Sequence, residues 1–438
     1  MKKLMLSMAA VPLLVGGLSV NASAKDGINI LDDLKLDGQI RPRWENVDDG
    51  NSATANANAF TARTKLKVTG NLMDVDGLSA SVGIISVNNF GSHTYNSAYD
   101  KDTGEYKPGY TDGSKPYAVV GDPQYAMLSN AEINYKIGDT ILHAGRGQVN
   151  LDNQRFIGTV GWRQLERSYD SVFVANNSIK NLSVLAAWVY GYQGVNTNET
   201  ADTNTVLLHA AYTVMPELKI TAYDYMIANI HDTYGLALTG IIKADIIKLN
   251  YRAEYAQQSD ATMDMHNAND KSNGTGKPGK LGKIGQADAS YYNLDVGANV
   301  SGVLFGVNYE YFSGQNASGS ETNFSTPLAT GHKFNGWADV ANSKNGGLID
   351  FNVRLGYQAK GFGKLLAVYH DFTSDTKVDG INDDKGSEID AVYVNKIPGV
   401  NGLTGMLKYA DFSKGKVTGT TNDVTKIWAM LDYKFSIK

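Results

Sequence analysis

Between residues 34 and 45 the chain alternates. Leu34, Leu36, Gly38, Ile40, Pro42 and Trp44 fall on one side, and Lys35, Asp37, Gln39, Arg41, Arg43 and Glu45 on the other. A period of two sorts residues across a strand, whereas a helix would smear them around its axis. The same division recurs at 62–72, where Ala62, Thr64, Leu66, Val68 and Leu72 oppose Arg63, Lys65, Lys67, Thr69 and Asn71. It returns at 247–255, 349–358 and 429–437. Marking every such stretch predicts strands at 34–45, 60–72, 78–89, 124–137, 140–148, 167–175, 182–193, 203–214, 217–228, 234–241, 245–256, 289–300, 303–312, 348–358, 364–372, 388–396, 402–412 and 425–437. That makes about eighteen, within a range of roughly sixteen to twenty.

The connections sort by length. Asp74 to Gly77, Gly138-Asp139, Met215 to Glu217, Ser301-Gly302 and Pro398-Gly399 are tight turns, while 90–123, 149–166, 257–288, 313–347 and 373–387 read as long polar loops. Short turns at one end and long loops at the other predict an all-β fold, a single transmembrane antiparallel barrel. A soluble sandwich or propeller would also hide one strand face. Two features weigh against it: successive charges sit on one face only, as a lipid-facing wall requires at roughly 2–4 kcal/mol per misplaced charge, and aromatics such as Trp44, Tyr135, Trp188, Tyr190, Tyr255, Tyr357 and Tyr433 recur near strand ends, where an interfacial belt would put them.

Composition fits that picture: 25 Tyr, 46 Gly and only 9 Pro suit many strands joined by glycine turns. Residues 1–24 carry Lys2 and Lys3, an apolar stretch and Ala22-Ser23-Ala24, and read as a cleaved export signal, leaving 25–438 as the barrel domain. Zero cysteines exclude a disulfide scaffold and any thiolate chemistry. A net charge of −5 gives no reason to expect nucleic acid as a partner.

If the polar face turns inward, a barrel of this size encloses an aqueous channel, and function is written on its lumen. Strands one and two then present Arg41, Arg43, Arg63, Lys65 and Lys67 to one side as a basic ladder, which attracts anions or is neutralised by Glu45, Glu132, Glu254 or Asp37; both readings stay open. "GRGQVNLDNQRFIGTVGWRQLERSYD" (145–170) spans the third external connection and carries Arg146, Arg155, Arg163 and Arg167 against Asp152, Glu166 and Asp170. Asn150 and Asn153 offer turns, and Phe156, Ile157 and Trp162 offer anchors. No enzyme motif competes. There is no G-x-S-x-G, no nucleotide loop, and the seven histidines follow no spacing. No cofactor is expected, although the acidic run "DGINDDKGSEID" (379–390) has the oxygen ligands for a structural divalent cation without the EF-hand spacing.

"HAGRGQVNL" followed by "VFVANNSIKNLSVLAAW" resembles the major outer-membrane porins of Campylobacter and its relatives. "IRPRWEN" with "FTARTKLKVTGNL", and the "GRGQ…R…GW" loop, are also similar to alginate-export channels and to the substrate-specific porins of Pseudomonas, over roughly residues 34 to 192. The resemblance implies an outer-membrane channel for passive diffusion of small hydrophilic solutes and ions, whose third loop folds inward as the constriction. It implies equally a channel for an anionic substrate such as an alginate-type polysaccharide or uronates, met by Arg41, Arg43, Arg63, Arg146 and Arg167. Its partners would be outer-membrane lipid, the barrel-assembly machinery and, in the porin pattern, two further copies in a homotrimer; alginate-type relatives are monomers. One departure is the chain end, where Phe435 is followed by Ser436, Ile437 and Lys438 instead of closing the chain.

Overall fold

A computed structural model describes residues 30–92, 94–95, 117–196, 200–263, 287–314, 323–378, 382–417 and 422–438; the expected export signal lies outside them. Eighteen strands follow one another: β1 Leu31–Asp48, β2 Ala57–Leu72, β3 Leu78–Asn88, β4 Tyr125–Ile137, β5 Thr140–Gly147, β6 Ser168–Asn176, β7 Leu182–Gln193, β8 Thr200–Met215 and β9 Leu218–Ile227. The second half comprises β10 His231–Ala244, β11 Ile247–Ser259, β12 Ala289–Val300, β13 Val303–Phe312, β14 Leu348–Ala359, β15 Gly363–Val378, β16 Asn382–Lys396, β17 Leu403–Lys414 and β18 Val424–Ile437. Each pairs antiparallel with its sequence neighbours, and β1 pairs with both β2 and β18, so Leu36 lies between Val68 and Ile437 and the sheet has no edge. Among the described residues the one helix is a single 3-10 turn at Gly331–Lys333.

The alternation fixes the two faces. Outward positions carry Ile40, Val82, Leu128, Val172, Leu236, Leu294, Phe305, Val353, Leu365 and Leu407, all exposed on the isolated chain. Exposed apolar side chains on nearly every stave are what a hydrocarbon surround demands. Aromatics collect near both rims. Tyr255, Tyr292 and Tyr311 contact in series (5.2 and 5.3 Å between centroids) at the loop end, and Tyr357, Phe362 and Tyr393 do so (5.4 and 5.6 Å) at the turn end.

The long loops differ from expectation in one place. Over 373–378 and 382–387 the chain continues β15 and β16, with Val378 opposite Asn382, because Thr373–Val378 and Asn382–Gly386 keep pairing beyond the apolar belt. The acidic run is therefore strand over its described part, and residues 379–381 lie outside the described residues. Among the described residues no group of three or more His, Asp or Glu side chains is placed to hold a metal ion. Connections at 228–230 and 415–423 on the loop side are short as well.

The apolar core lies inside the barrel. Phe156, Ile157, Phe324 and Leu328 from two inward-folded loops pack on the inward side chains Tyr223, Tyr225, Tyr291, Phe312, Phe372 and Phe412. The loops are L3 (residues 148–167, between β5 and β6) and L7 (313–347, between β13 and β14).

Candidate constriction site

L3 has no regular structure, and its shape is set by short-range side-chain bonds. Asn153 Oδ1 accepts from the Arg155 amide at 3.0 Å, and Asn150 Oδ1 accepts from the Thr159 amide and hydroxyl at 3.0 and 3.1 Å. An asparagine such as Asn153 that mimics a backbone turn lets a chain bend without a ladder, and Asn150 closes the nine-residue span to Thr159. Phe156 then inserts among Tyr223, Tyr291 and Phe324 at 5.3 to 6.0 Å, and Trp162 meets Trp428 edge-on at 5.7 Å.

The five cations of β1 and β2 all face inward, and all have partners. Arg41 donates to the carbonyls of Gly161 (3.0 Å), Trp162 (3.3 Å) and Arg163, and to Gln164 Oε1 (3.1 Å). Arg43, fully buried, donates to Trp162 O at 2.7 Å and pairs with Asp122 and Glu45. Arg63 and Lys65 share Glu166 at 2.5 and 2.6 Å, and Lys67 pairs with Glu132 at 2.5 Å. Of the five, only Lys65 and Lys67 keep appreciable contact with solvent, at 21% and 30% side-chain exposure. The ladder is thus a scaffold for L3 at its arginines and a wet, carboxylate-balanced surface at its lysines. Glu166, buried but facing Arg63, Lys65 and Arg41, has its pKa pulled down to about 2: burial opposes ionisation and the three cations outweigh it.

The remaining stretch residues separate. Asp152 crosses to the far wall and pairs with Arg252 at 2.5 Å, with Lys219 at 3.9 Å. Arg155 pairs with Glu310 of β13 at 2.8 Å, donates to Asn335 of L7 at 2.6 Å and lies 4.5 and 4.6 Å from the Phe312 and Phe334 ring centres. Arg163 pairs with Asp339 of L7 at 2.8 Å and Glu45 at 3.5 Å. Arg167 reaches the Pro327 carbonyl of L7 at 3.4 Å.

Arg146 is elsewhere. It lies opposite Ala131 and Asp170, one residue out of phase with inward Glu132 and Tyr169, and so faces outward, in a two-pronged pair with Asp170 at 2.7 Å on both prongs. The expected lumen role of Arg146 fails on strand parity: a one-residue step puts a side chain on the other face.

L7 was missed in the sequence, although Phe324, Leu328, Phe334 and Trp337 are more large apolar side chains than a solvated loop has use for. Structurally it is half of the site. Gly158 N donates to Leu328 O (2.9 Å) and Thr330 N to Gln154 O (3.0 Å), so the loops meet backbone to backbone. The approach depends on Gly158, where a Cβ would sit 2.3 Å from Thr330 Oγ1. L7 in turn docks on the opposite wall: the Trp337 and Ala338 amides donate to Asp390 (3.2 Å) and Glu388 (2.7 Å), and Asn335 Nδ2 donates to Glu310 (2.6 Å) and Asp350 (3.0 Å). Gly336, at φ +77°, lets the chain turn there with the Glu388 carboxylate 2.3 Å from where a Cβ would be.

His332 of L7 stacks on Trp162 at 4.6 Å and 7°. Burial pushes its pKa down to about 3 despite Asp339, whose own carboxyl is held far below the usual range by His332, Lys426 and Arg163 in spite of burial. The ring is therefore neutral at physiological pH, with Nδ1 donating to Asp339 at 2.7 Å and Nε2 left to accept.

No protein-family model matches the chain, and no curated protein does. Solved structures do. Acinetobacter baumannii OccAB2 aligns with a TM-score of 0.69 at 13% identity, covering 93% of this chain and 99% of that one. Pseudomonas aeruginosa OccK8 (OprE) gives 0.68 at 15% identity, over 94% and 100%. The fold is that of the Occ channels. P. aeruginosa OccK1 (OpdK) adds 0.66 at 13% identity over 93% and 100%. At such identities the Occ likeness is one of architecture, extending over nearly the full length of both chains, and it agrees with the resemblance to Pseudomonas substrate-specific porins seen in the sequence.

Proposed function

We propose that this chain is an outer-membrane porin through which small hydrophilic solutes and ions diffuse passively past a constriction built jointly by L3 and L7. One observation carries the reading: a closed eighteen-stranded wall, apolar outside and charged inside, holds two loops folded across its lumen. A wall of that many strands is wide enough for water, and the loops set what passes. No step of this function needs a reaction, cofactor or energy source. Surrounding lipid contacts the apolar face, the barrel-assembly machinery inserts it, and the copy number, one or three, belongs to the same proposal.

A second reading, a channel specific for an anionic substrate, is favoured by Lys65 and Lys67, the two ladder cations that stay wet. One Occ relative, P. aeruginosa OpdK, was solved with vanillate, a small aromatic carboxylate. The same recording tests both. Purified protein in a planar bilayer should conduct without applied energy. A weakly selective current unaffected by uronates or vanillate fits the general porin; an anion-selective current blocked by them fits the specific channel; no current at all sinks both.

A further inference from the structure

Lys408 of β17 is the cation that the ladder does not explain. Its strand position puts it directly opposite Trp428 on β18, both facing inward and both buried. Its ammonium lies 4.1 Å from the centre of the Trp162 ring of L3, 3.9 Å from that of Trp337 of L7 and 5.3 Å from that of Trp428 of the wall. It also donates to His332 Nε2 of L7 at 2.6 Å. Among the described residues no carboxylate bonds it directly; three indole faces and one neutral imidazole lie against it. A desolvated ammonium is held by the negative faces of aromatic rings, and indole is the best of them. Here the three rings and the imidazole come from three separate parts of the chain, so a single charge ties L3, L7 and the wall to one point.

The surroundings point the same way. Trp162 is stacked on His332 and lies edge-on to Trp428, and Arg43 sits 4.9 Å from its ring centre. His332 Nδ1 is used on Asp339, which fixes the tautomer that leaves Nε2 free to accept from Lys408. Most other wall groups serve one loop, as Arg41 does L3 and Glu388 does L7, with Glu310 taking both Arg155 of L3 and Asn335 of L7.

We propose that Lys408 is a positioning residue for the pore: a cation locked in a three-tryptophan cage that holds L3 and L7 together against the β17–β18 wall and so fixes the width of the constriction. It touches no solute and acts only through Trp162, Trp337 and His332. The proposal rests on the channel reading above.

The test is single-channel recording on the full-length mature protein, comparing wild type with Lys408→Met, Lys408→Arg and Trp337→Leu. Methionine keeps the length and removes the charge, and it should raise open-channel current noise severalfold and conductance about twofold, because both loops lose their common anchor. Arginine, which keeps a cation for the indole faces, should return both toward wild type. Trp337→Leu lies in L7, outside the wall, so it leaves barrel assembly alone and should shift noise in the same direction. Barrel integrity is read independently from the heat-dependent gel shift. Wild-type noise and conductance in folded Lys408→Met, or in Trp337→Leu if Lys408→Met does not assemble, would overturn the lock. Arginine failing to rescue a folded channel overturns the cation–π account as well. A wild-type protein that does not conduct refutes the channel reading instead.

Discussion

The two walls that hold the constriction use opposite charges and, for that reason, opposite halves of the peptide bond. Against β1 and β2, L3 turns its carbonyl oxygens outward, and Arg41 and Arg43 donate to Gly161, Trp162 and Arg163. Against the carboxylates of β13 to β16, L7 offers N–H groups, and Glu388 and Asp390 accept from Ala338 and Trp337, while among the described residues the one cation there that meets L7, Lys385, takes the carbonyls of Asn342, Lys344 and Gly347. A loop folded into a lumen leaves backbone groups without a ladder, and each buried unpaired group costs free energy. A guanidinium satisfies several acceptors at once and a carboxylate several donors, so wall charge decides which face of a loop can dock there. The charged lumen is therefore first a mould for two loops and only second a field for solutes.

Arg155 is where that division is crossed, since it starts on L3 and ends on the acidic wall between Glu310 and Asn335. Its loss should have the largest effect. Arg155→Ala strands a buried Glu310 beside Asp350 and should cost about 3–5 kcal/mol, seen as a lower urea midpoint for the loop transition and a larger, noisier conductance. Arg41→Met with Arg43→Met attacks the other wall. Each carbonyl stripped of its donor costs about 1–3 kcal/mol, and hydrogen exchange across residues 159–165 should accelerate while residues 334–339 stay protected. Equal loosening of both loops would mean that the walls do not act separately.

How much of this was legible beforehand follows from range. Alternation is a local signal, so all eighteen strands were readable, most to within three residues, and so was the place of L3 as the third external connection. Asn153 was readable as a turn former because an Asx turn involves neighbours only, whereas Asn150 braces Thr159 nine residues on, a reach that no local signal carries. Of the ladder's partners, Glu45 and Glu132 were readable as candidate carboxylates and do pair with Arg43 and Lys67; the L3 carbonyls were not, because they lie about 120 residues from Arg41 and Arg43, and no periodicity encodes such a meeting. L7 was hidden behind the expectation that a polar loop stays in water. Arg146 was misplaced for the opposite reason: it looks like its neighbours in the motif, but the strand's parity turns it out.

Acid separates the walls by titration. His332 has a folded pKa of about 3, below its unfolded value, so its contribution is complete above pH about 6.5 and is lost as pH falls toward 3. Glu166, at about 2, contributes fully above pH about 4.5 and loses its share as pH falls toward 2. Hydrogen exchange corrected for intrinsic rate should therefore show the L7 segment around His332 loosening first and the L3 segment around Glu166 at lower pH. The reverse order would contradict the two environments.

A gentler substitution asks whether the acidic wall needs charge or merely acceptors. Glu388→Gln keeps an oxygen for the Ala338 amide at the same reach, so the expected loss is about 1 kcal/mol, measured as a small fall in the L7 exchange midpoint. A loss as large as that from Arg155→Ala would mean that the negative charge itself, and not the hydrogen bond, holds L7.

The smallest effect belongs to the arginine on the outside. Arg146 and Asp170 pair at 2.7 Å with 26% and 20% of their side chains exposed, on the face away from both loops. An exposed pair contributes about 0–1 kcal/mol, and among the described residues no atom of L3 or L7 bonds this one. Arg146→Ala should leave conductance, noise and reversal potential at wild-type values and shift the heat-dependent gel transition little. If it changes ion selectivity instead, the guanidinium reaches the water path, and the parity that assigns inside and outside near the end of β5 is wrong.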